Sequence, residues 1–481
     1  MLKHVTLLTL GGWLALAGAA QAQAVTFAPV STLVVGSYNS SRPTNVVITD
    51  VTGDARPDML VAGSGTSTLE VLIARPIGGF QTSSLSAGQS SVPVDVAVAD
   101  VNSDGKLDVL TADNSLDAVG LLLGNGSGVF QITSSFSCGV GSKPTAIVVA
   151  DVNGDGKPDA LTANFNLGTV GVLLGTGNGT FQPVASYPTG TIYSNPIDIA
   201  MADVNGDGKL DVLTANSNDY AVGVLLGNGN GTFQPVISSP AGGQTRSLAV
   251  ADVNGDNKPD VVTVYNQAGV AAVLLGNGNG TFQASVLYAT GGFDTSSIAI
   301  ADLNRDNRPD LVVANYSSNS AGVLLGNGNG TFQVATTYLV GAGSAPYGIA
   351  AADLNGDARP DIVTANYGSA SVGILTNTST ILATRATLPG TSATLHPNPT
   401  TARTALTLAG LPATVAQVQA TLFDATGRAV GQQQLAAAQG AARAEVPTAG
   451  LAPGFYVLRL LAHDAQGQPI GSLPTQRLSV Q

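Results

Sequence analysis

The chain has 481 residues, enough for two or three domains, and its formal net charge of −12 argues against a nucleic-acid partner. Charged residues make up only 10% of the chain and glycine is abundant, with 59 residues, which favours an all-β fold with many tight turns. The single cysteine, Cys138, excludes an intrachain disulfide framework.

The first 24 residues are predicted to be a secretory signal peptide. Lys3 precedes an apolar run over residues 5–18, and two overlapping Ala-Gln-Ala cleavage sites follow at residues 20–24. No later apolar run approaches the roughly 18 residues that a transmembrane helix needs. We therefore expect a secreted mature chain without a membrane span.

An acidic nonamer, typified by Asp151–Asp159 (DVNGDGKPD), occurs seven times after this leader. The seven copies begin at Asp50, Asp100, Asp151, Asp203, Asp252, Asp302 and Asp353. Successive copies begin 50, 51, 52, 49, 50 and 51 residues apart, and so regular a period is typical of a repeat architecture.

Each repeat has the pattern of four short strands separated by turns rich in glycine, asparagine and aspartate. In the fifth repeat the strands are predicted over 247–253, 261–265, 270–275 and 282–288. Seven such units around one axis predict an all-β, seven-bladed β-propeller over residues 25–380. Small residues alternate with larger ones in the first strand of each repeat, as a wedge that narrows towards an axis requires.

The seventh repeat has no fourth strand of its own, because no Gly-Asn-Gly-Asn-Gly-Thr-Phe turn follows Leu375. The segment Phe27–Ser31 (FAPVS) is similar to Phe181–Ala185 (FQPVA) of the third repeat. We therefore predict that a strand within residues 25–36 completes the last blade and closes the ring, which removes two exposed sheet edges.

In each nonamer, most or all of positions 1, 3, 5 and 9 have an oxygen-bearing side chain. This is the pattern with which a short loop wraps a hard cation. We predict one Ca²⁺ per loop, up to seven in all, held by these side chains and by the carbonyl of the basic residue at position 7. The predicted ligands are Asp50, Asp54 and Asp58; Asp100, Asn102, Asp104, Lys106 and Asp108; Asp151, Asn153, Asp155, Lys157 and Asp159; Asp203, Asn205, Asp207, Lys209 and Asp211; Asp252, Asn254, Asp256, Lys258 and Asp260; Asp302, Asn304, Asp306, Arg308 and Asp310; Asp353, Asn355, Asp357, Arg359 and Asp361.

An EF-hand is excluded, because position 12 is Thr162 and the flanking residues are β-branched, so the loop is predicted to connect the first two strands of a blade. The alternative is a metal-free turn rich in Asx residues. The first loop, with Thr52 and Ala55, and the last, with Ala358, depart furthest from the metal-binding pattern.

The predicted role of the metal is structural. With free Ca²⁺ at ten times its Kd, each site adds roughly 1.4 kcal/mol to the free energy of unfolding, and seven independent sites add on the order of 10 kcal/mol. That sum rivals the whole stability of a typical domain.

Residues 381–394 are predicted to be a linker rich in Thr, Ala, Pro and Gly, and residues 395–481 a second, smaller domain. Segments such as 418–423 and 454–460 alternate like half-buried strands, which predicts a small β-sandwich. Residues 432–443 are alanine-rich, so a helix there stays open as an alternative.

The acidic loops and the Gly-Asn-Gly-Asn-Gly-Thr-Phe turns resemble FG-GAP (VCBS-type) repeats, which build the propellers of integrin α-chains. The resemblance covers about residues 25–380. It implies Ca²⁺ in the loops, and ligands on the opposite face or in the clefts between blades.

The C-terminal segment resembles a type IX secretion sorting domain. The motifs that carry this resemblance are Leu395-His-Pro-Asn-Pro399, Asp424-Ala-Thr-Gly-Arg428, Gly454-Phe-Tyr-Val-Leu458 and Thr475-Gln-Arg-Leu-Ser-Val480. The resemblance implies passage through an outer membrane by the type IX machinery, removal of the tail, and release or attachment at the cell surface.

The face opposite the acidic loops is predicted to carry aromatic residues in its turns. They lie at Tyr193, Phe293 and Tyr347 and in segments 164–167, 218–220, 265–267, 315–317 and 366–368. Two interpretations are open, namely stacking against sugars and packing between blades. Asp95 and Asp198, near the predicted channel mouth, are either ligand contacts or solvated channel residues.

We expect a monomeric protein, secreted or at the outer cell surface, that binds an extracellular glycan or protein as a binding or adhesion module. The alternatives are a polysaccharide lyase or hydrolase on a propeller frame, and a purely structural surface protein. His4, His396 and His463 are the only histidines and none lies in the propeller. Since no clustered acid–base pair is evident there, we expect no enzymatic activity and assign no catalytic residue.

Overall fold

The computed structural model describes residues 25–36, 40–265, 268–379, 391–396, 398, 403–423, 429–437, 440–448, 451–465, 469–473 and 476–480. The predicted signal peptide and most of the predicted linker lie outside the described residues. The chain forms two compact units, Met1–Ile381 and Leu382–Gln481.

Within its described residues, the first unit consists of seven four-stranded antiparallel sheets, the blades of a propeller. It begins with β1 (Ser31–Val34). Blades 1 to 3 contain β2 (Pro43–Thr49), β3 (Asp58–Gly63), β4 (Thr68–Ala74) and β5 (Phe80–Ser86); β6 (Pro93–Ala99), β7 (Asp108–Asp113), β8 (Ala118–Gly124) and β9 (Phe130–Ser137); β10 (Pro144–Ala150), β11 (Asp159–Asn164), β12 (Thr169–Leu173) and β13 (Ala185–Pro188). A short 3-10 helix, Asn114–Leu116, follows β7.

The remaining blades repeat the same order of strands. Blades 4 to 7 contain β14 (Pro196–Ala202), β15 (Asp211–Asn216), β16 (Ala221–Leu225) and β17 (Ile237–Pro240); β18 (Thr245–Ala251), β19 (Asp260–Tyr265), β20 (Val270–Leu274) and β21 (Val286–Ala289); β22 (Thr295–Ala301), β23 (Asp310–Asn315), β24 (Ser320–Leu324) and β25 (Thr336–Leu339); β26 (Pro346–Ala352), β27 (Asp361–Asn366) and β28 (Ser371–Leu375).

Apolar clusters at the blade junctions hold the ring together. The second strand of each blade is buried along its whole length, so its side chains are available to both neighbouring sheets. Leu161 of blade 3 shares a cluster with Val212 of blade 4, and Val46 of blade 1 shares one with Val363 of blade 7. Because blade 7 packs against blade 1 in the same way as any other neighbours, the ring is closed.

The N-terminal segment completes the seventh blade, as predicted. Strand β1 pairs antiparallel with β28 as the fourth strand of that sheet. Phe27 lies edge-on to Tyr338 of blade 6, with ring centroids 4.8 Å apart. The same contact joins Phe233 of blade 4 to Tyr187 of blade 3 at 5.4 Å. Phe27 therefore occupies the place that an internal aromatic residue occupies in other blades.

The second unit is a small β-sandwich. Its strands are β29 (Ser392–His396), β30 (Arg403–Ala409), β31 (Gln417–Phe423), β32 (Ala429–Ala436), β33 (Ala441–Pro447), β34 (Gly454–His463), β35 (Pro469–Ser472) and β36 (Gln476–Val480). One sheet has the order β29-β30-β33, and the other has the order β32-β31-β34-β35 with β36 also paired to β34. Leu406 and Leu408 of the first sheet share one apolar cluster with Val418 and Leu458 of the second.

One predicted boundary in this part of the chain is wrong, and the structure decides one alternative that the sequence left open. Strand β29 begins at Ser392, inside the predicted linker, because it pairs with β30. The helix considered for residues 432–443 is replaced by the end of β32 and the start of β33. Strand β32 pairs with β31 and buries Leu435, so tertiary packing overrides the helix propensity of alanine. The predicted turn at 424–427 lies outside the described residues.

Candidate functional site

The acidic nonamers connect the first two strands of every blade at one end of the ring. In blade 3, β10 ends at Ala150 and β11 begins at Asp159, with the loop between them. The turns between third and fourth strands lie at the same end, because antiparallel strands alternate in direction. We call this end, formed by the nonamers and those turns, the loop face. The opposite end, formed by the turns between second and third strands and by the blade-to-blade connections, is the far face.

The first aspartate of each loop organises the backbone around it. In the third loop, Gly154 donates its N–H to Asp151 Oδ1 at 2.7 Å, and Gly156 donates to Oδ2 at 2.8 Å. Asn153 Oδ1 accepts the N–H of Asp155 at 2.8 Å. Burial acts to raise the pKa of Asp151, but the backbone hydrogen bonds outweigh it and hold that pKa below its usual value. The carboxylate is therefore ionised at neutral pH.

The aspartate at position 9 is buried in every loop, and backbone N–H groups engage both of its oxygens. Val152 donates to Asp159 Oδ2 at 3.0 Å, and Gly175 donates to Oδ1 at 2.7 Å. Burial raises the pKa of Asp159, these hydrogen bonds oppose the shift, and the other two aspartates of the loop add to it. In the sixth loop the same causes raise the pKa of Asp310 to about 7. The position-9 carboxylate thus fastens the loop to the end of the third strand, a role that the sequence analysis did not include.

The donor chemistry of the loops fits a hard divalent cation. Asp151, Asn153 and Asp155 supply carboxylate and amide oxygens, and the mutual repulsion of the loop's aspartates is what a cation would offset. Among the described residues, no group of three or more Asp, Glu, His or Cys side chains converges as a metal-binding group. Calcium binding by the loops therefore stays a prediction. The oxygens of Asp151 and Asp159 both accept backbone N–H groups, and Asp159 differs in being fully buried.

Position 6 has a positive φ in every loop. Gly156 has φ 78°, and Asn257 and Asn307 have φ 62°, which confirms that asparagine is tolerated there. Ala55 and Ala358 adopt the same conformation with φ 65° and 63°. The left-handed conformation destabilises an alanine by roughly 1–2 kcal/mol, so the first and last loops are strained at position 6. The second and sixth loops have a non-glycine residue with positive φ at position 4 instead, Ser103 with φ 61° and Arg305 with φ 58°.

The basic residue of the first and last loops also differs. Arg56 and Arg359 each form an ion pair with the position-5 aspartate of their own loop. In the third loop the corresponding Lys157 Nζ lies 3.5 Å from the carboxylate. An arginine that donates to Oδ2 of this carboxylate competes with a metal ion for that oxygen.

Backbone hydrogen bonds link each of several loops to a turn of the next blade. Gly231 of blade 4 donates its N–H to the carbonyl of Val152, the second residue of the third loop, at 3.1 Å. The equivalent bonds run from Gly179 to Val101, from Gly280 to Val204 and from Gly330 to Val253. Gly231 has φ 80°, a conformation that other residues rarely adopt, so glycine is favoured at this turn. Order in one loop is therefore transmitted to the neighbouring blade.

Three tyrosines of blades 6 and 7 converge on the far face. The ring centroids of Tyr316 and Tyr347 are 6.2 Å apart, and those of Tyr347 and Tyr367 are 5.8 Å apart. Arg42 lies over the Tyr367 ring at 5.5 Å, and Arg246 lies over the Tyr347 ring at 4.7 Å. These residues border a cavity of about 690 Å³.

All three tyrosines are among the aromatic residues predicted for this face, whereas neither arginine of the cavity was predicted from the sequence. Arg246 is the second residue of β18, where the first strands of blades 1, 2 and 3 have Thr44, Val94 and Thr145. This break in the repeat is the signal that would have found it.

Other aromatic residues of the far face have two different environments. Tyr193, Phe293 and Tyr220 are 72%, 69% and 54% exposed. Tyr265 is buried and donates its hydroxyl to the carbonyl of Ala241. Some of these aromatic residues therefore pack against the protein, and others are exposed to solvent. Residues 266–267 of the predicted aromatic segment lie outside the described residues.

Asp95 and Asp198 join neighbouring blades. Asp95 Oδ2 accepts the Ile147 N–H at 2.8 Å, and Asp198 Oδ2 accepts the Leu248 N–H at 2.9 Å. Burial raises the pKa of Asp95 to about 7, and the charge of Asp198 adds to that shift. Both carboxylates have a structural role that neither sequence interpretation included.

Comparison with known families agrees with this architecture. A profile described as an FG-GAP-like repeat matches residues 50–111, 100–162, 154–214, 203–263, 252–313 and 302–364. A profile described as a secretion system C-terminal sorting domain matches residues 394–468. No curated protein matches the chain.

Several solved structures are similar at low identity. One is a protein of Agrocybe aegerita, described as specifically recognising non-reducing terminal N-acetylglucosamine, with 21% identity, a TM-score of 0.45, and coverage of 61% of this chain and 80% of that one. A periplasmic gluconolactonase of Pseudomonas aeruginosa has 16% identity, a TM-score of 0.48, and coverage of 62% and 86%. A putative 6-phosphogluconolactonase of Bacteroides uniformis has 13% identity, a TM-score of 0.48, and coverage of 70% and 95%.

The described residues contain no helix that is long and apolar enough to cross a membrane. The sorting domain directs the chain through the type IX secretion system to the cell surface or the extracellular space. The six repeat matches overlap from residue 50 to residue 364 and take in all seven acidic loops, so the chain belongs to the FG-GAP-like repeat family.

Proposed function

We propose that the propeller is a calcium-stabilised binding module that meets an extracellular glycan or protein through its far face. The observation that carries this proposal is that the two faces of the propeller have different kinds of side chain. The loop face holds 21 of the 31 acidic residues of the chain, in seven equivalent loops. The far face holds the exposed aromatic residues and a cavity lined by tyrosine and arginine.

Calcium would be held at positions 1, 3 and 5 of each loop, with the carbonyl at position 7 and the position-9 carboxylate completing the oxygen set. In the third loop the side chains are Asp151, Asn153, Asp155 and Asp159. Bound Ca²⁺ supplies a charge that offsets the repulsion among the aspartates of a loop. We expect the weakest binding at Asp50 and Asp353, where arginine competes for the carboxylate and alanine is strained.

The role of calcium in this proposal is structural. The carbonyl of Val152 in the third loop accepts a hydrogen bond from Gly231 of the next blade, so a loop that is fixed by an ion also fixes its neighbour. A ligand-controlled switch would need a mobile element near the ion, whereas these loops are short hairpins between buried strands.

Binding at the far face is supported by its side chains. Tyr193, Phe293 and Tyr220 place large rings in solvent, where they would stack against a sugar ring or fill a pocket of a protein partner.

The environment of the acidic residues favours binding over catalysis. Outside the loops, the propeller carboxylates are committed to separate local partners: Asp95 bonds to Ile147, Asp113 to Thr111, and Glu70 to Thr68. A lyase or hydrolase needs a positioned acid and base that share one substrate.

Two assays on the mature chain, beginning at Val25, test the proposal. A glycan and extracellular-protein array is probed in Ca²⁺ and in EDTA, and a panel of polysaccharides is checked for turnover. Calcium-dependent capture without turnover supports a binding module. Turnover supports the lyase or hydrolase, and neither capture nor turnover supports a purely structural surface protein; either result overturns the proposal.

A further inference from the structure

The cavity on the far face is the place where this chain brings aromatic rings and positive charge together. It is lined by Arg42, Arg246, Tyr316, Tyr347, Tyr367 and Asp294, with small polar and aliphatic residues between them. These residues come from blades 1, 5, 6 and 7 and the connection between blades 5 and 6, so the cavity lies over the mouth of the ring. Its volume of about 690 Å³ is within the range of small-molecule sites.

The positive charge of the cavity stands out against the rest of the propeller. Residues 25–379 contain twelve Lys and Arg, and eight of them lie within the acidic loops, with Arg75 in a turn of the same face. The far face is left with Arg42, Lys143 and Arg246, and two of these three line the cavity. In a chain with a net charge of −12, this is a local site for an anion.

The two guanidinium groups are held by the tyrosines. Arg246 lies over the ring of Tyr347 with its central carbon 4.7 Å from the ring centroid, and Arg42 lies over Tyr367 at 5.5 Å. Stacking uses the flat face of a guanidinium, whereas its N–H donors point outwards in the plane of the group. Arginine is also the side chain whose fork of N–H donors matches the geometry of a carboxylate.

We propose that this cavity binds a carboxylated sugar unit of an acidic polysaccharide. The proposal rests on the function proposed above and names the ligand class and its site. Arg42 and Arg246 take the carboxylate, the tyrosine cluster contacts the apolar face of the sugar ring, and Asp294 accepts bonds from sugar hydroxyls. The Asp294 carboxylate already accepts the hydroxyl of Ser317, which fixes its orientation.

The arginines and the tyrosines of the cavity each argue against a different class of ligand. A neutral sugar would not use the charge of the two arginines, and an inorganic anion would not use the faces of the three rings. A long acidic chain fits better than a single sugar, because the cavity opens to solvent at the ring mouth and Phe293, next to the lining residue Asp294, is exposed.

The test measures the affinity of the mature chain for oligosaccharides of glucuronate, galacturonate, mannuronate and sialate, each beside its methyl ester, by calorimetry at one fixed free Ca²⁺ concentration. The ester keeps the sugar and removes the charge. We expect at least one acid to bind and its ester to bind at least about tenfold more weakly, since hydrogen bonds to charged groups are the strong ones.

Variants locate the site. Arg246→Gln and Arg42→Gln should each weaken binding of that acid at least about tenfold. Lys143→Gln is the matched control, because Lys143 is the far-face cation that does not line the cavity, and it should leave the affinity unchanged. Calcium-dependent melting of each variant should match that of the unsubstituted chain, since the cavity and the loops lie on opposite faces.

Other outcomes separate the two proposals. If acids and esters bind equally, or if Lys143→Gln weakens binding as much as Arg246→Gln, the acidic-sugar site is wrong while a binding module still stands. If none of the acids binds but the array captures a neutral glycan or a protein, the site assignment alone fails. If the array captures nothing, both proposals fail.

Discussion

The carboxylate of Asp95 in blade 2 accepts a hydrogen bond of 2.8 Å from the backbone N–H of Ile147 in blade 3. The same carboxylate accepts the side-chain amide of Asn45 in blade 1, so one buried group joins three blades. Burial in this position, followed by the charge of Asp198, raises the pKa of Asp95 to about 7. The junction therefore makes propeller stability depend on pH.

The first prediction concerns that pH dependence. Because Asp95 has a higher pKa in the folded than in the unfolded chain, the folded state binds more protons between about pH 4 and pH 7. The free energy of unfolding should fall as the pH rises through this window. Protonated Asp95 contributes on the order of 4 kcal/mol of stability, which is fully present below about pH 4 and lost above about pH 7.

The measurement is urea unfolding of the unsubstituted chain and of Asp95→Asn in EDTA, which keeps metal release out of the comparison. The variant should lose the share of the slope that Asp95 contributes, while the shares of Asp310 and Asp113, whose pKa burial also raises to about 7, remain. Asp198→Asn should reduce the share of Asp95, because Asp198 contributes to its raised pKa. An unchanged slope in Asp95→Asn contradicts the assignment.

A second prediction separates the two kinds of aspartate in a loop. Asp159→Asn replaces one acceptor oxygen with a donor that faces a backbone N–H, so it should lower the free energy of unfolding by about 2 kcal/mol even in EDTA. Asp155→Asn, at the exposed position 5, should cost little in EDTA and should reduce only the gain that Ca²⁺ provides. Equal deficits of the two variants in EDTA would show that position 9 has no structural role of its own.

A third prediction uses the strain in the last loop. Ala358 has φ 63° where Gly156 has φ 78°, so Ala358→Gly should raise the free energy of unfolding by about 1 kcal/mol. Gly156→Ala is the reverse change in a well-formed loop and should lower it by a similar amount. Thermal unfolding with and without Ca²⁺ checks both, and a lower melting temperature for Ala358→Gly would show that the loop is not strained.

A fourth prediction tests the closure of the ring. Phe27 packs edge-on against Tyr338, as Phe332 of blade 6 packs against Tyr288 of blade 5. Phe27→Ala should therefore destabilise the propeller by about 2 kcal/mol, less than Phe332→Ala because Phe27 is only half-buried. A variant that unfolds like the unsubstituted chain would mean that the N-terminal segment does not hold blade 7.

The sequence predicts the ring because the acidic loops recur at a regular interval. Seven acidic loops at intervals near 50 residues define seven blades, and the likeness of Phe27–Ser31 to Phe181–Ala185 predicts which segment closes them. The sequence left a helix at 432–443 open as an alternative, because local propensity says nothing about the pairing of β32 with β31.

The site was harder to predict for a different physical reason. Arg42 and Arg246 lie in blades 1 and 5 and meet the tyrosines of blades 6 and 7 only through closure of the ring. The sequence also did not show that Asp159 fastens its loop to the third strand. Aspartate suits that position both as a metal ligand and as a buried acceptor of two backbone N–H groups.

The most direct test of the central claim is equilibrium unfolding of the mature chain in millimolar Ca²⁺ and in EDTA. The account predicts that chelation lowers the free energy of unfolding by an amount on the order of 10 kcal/mol when all seven loops are filled at ten times their Kd. Unfolding curves that coincide in the two conditions would contradict it.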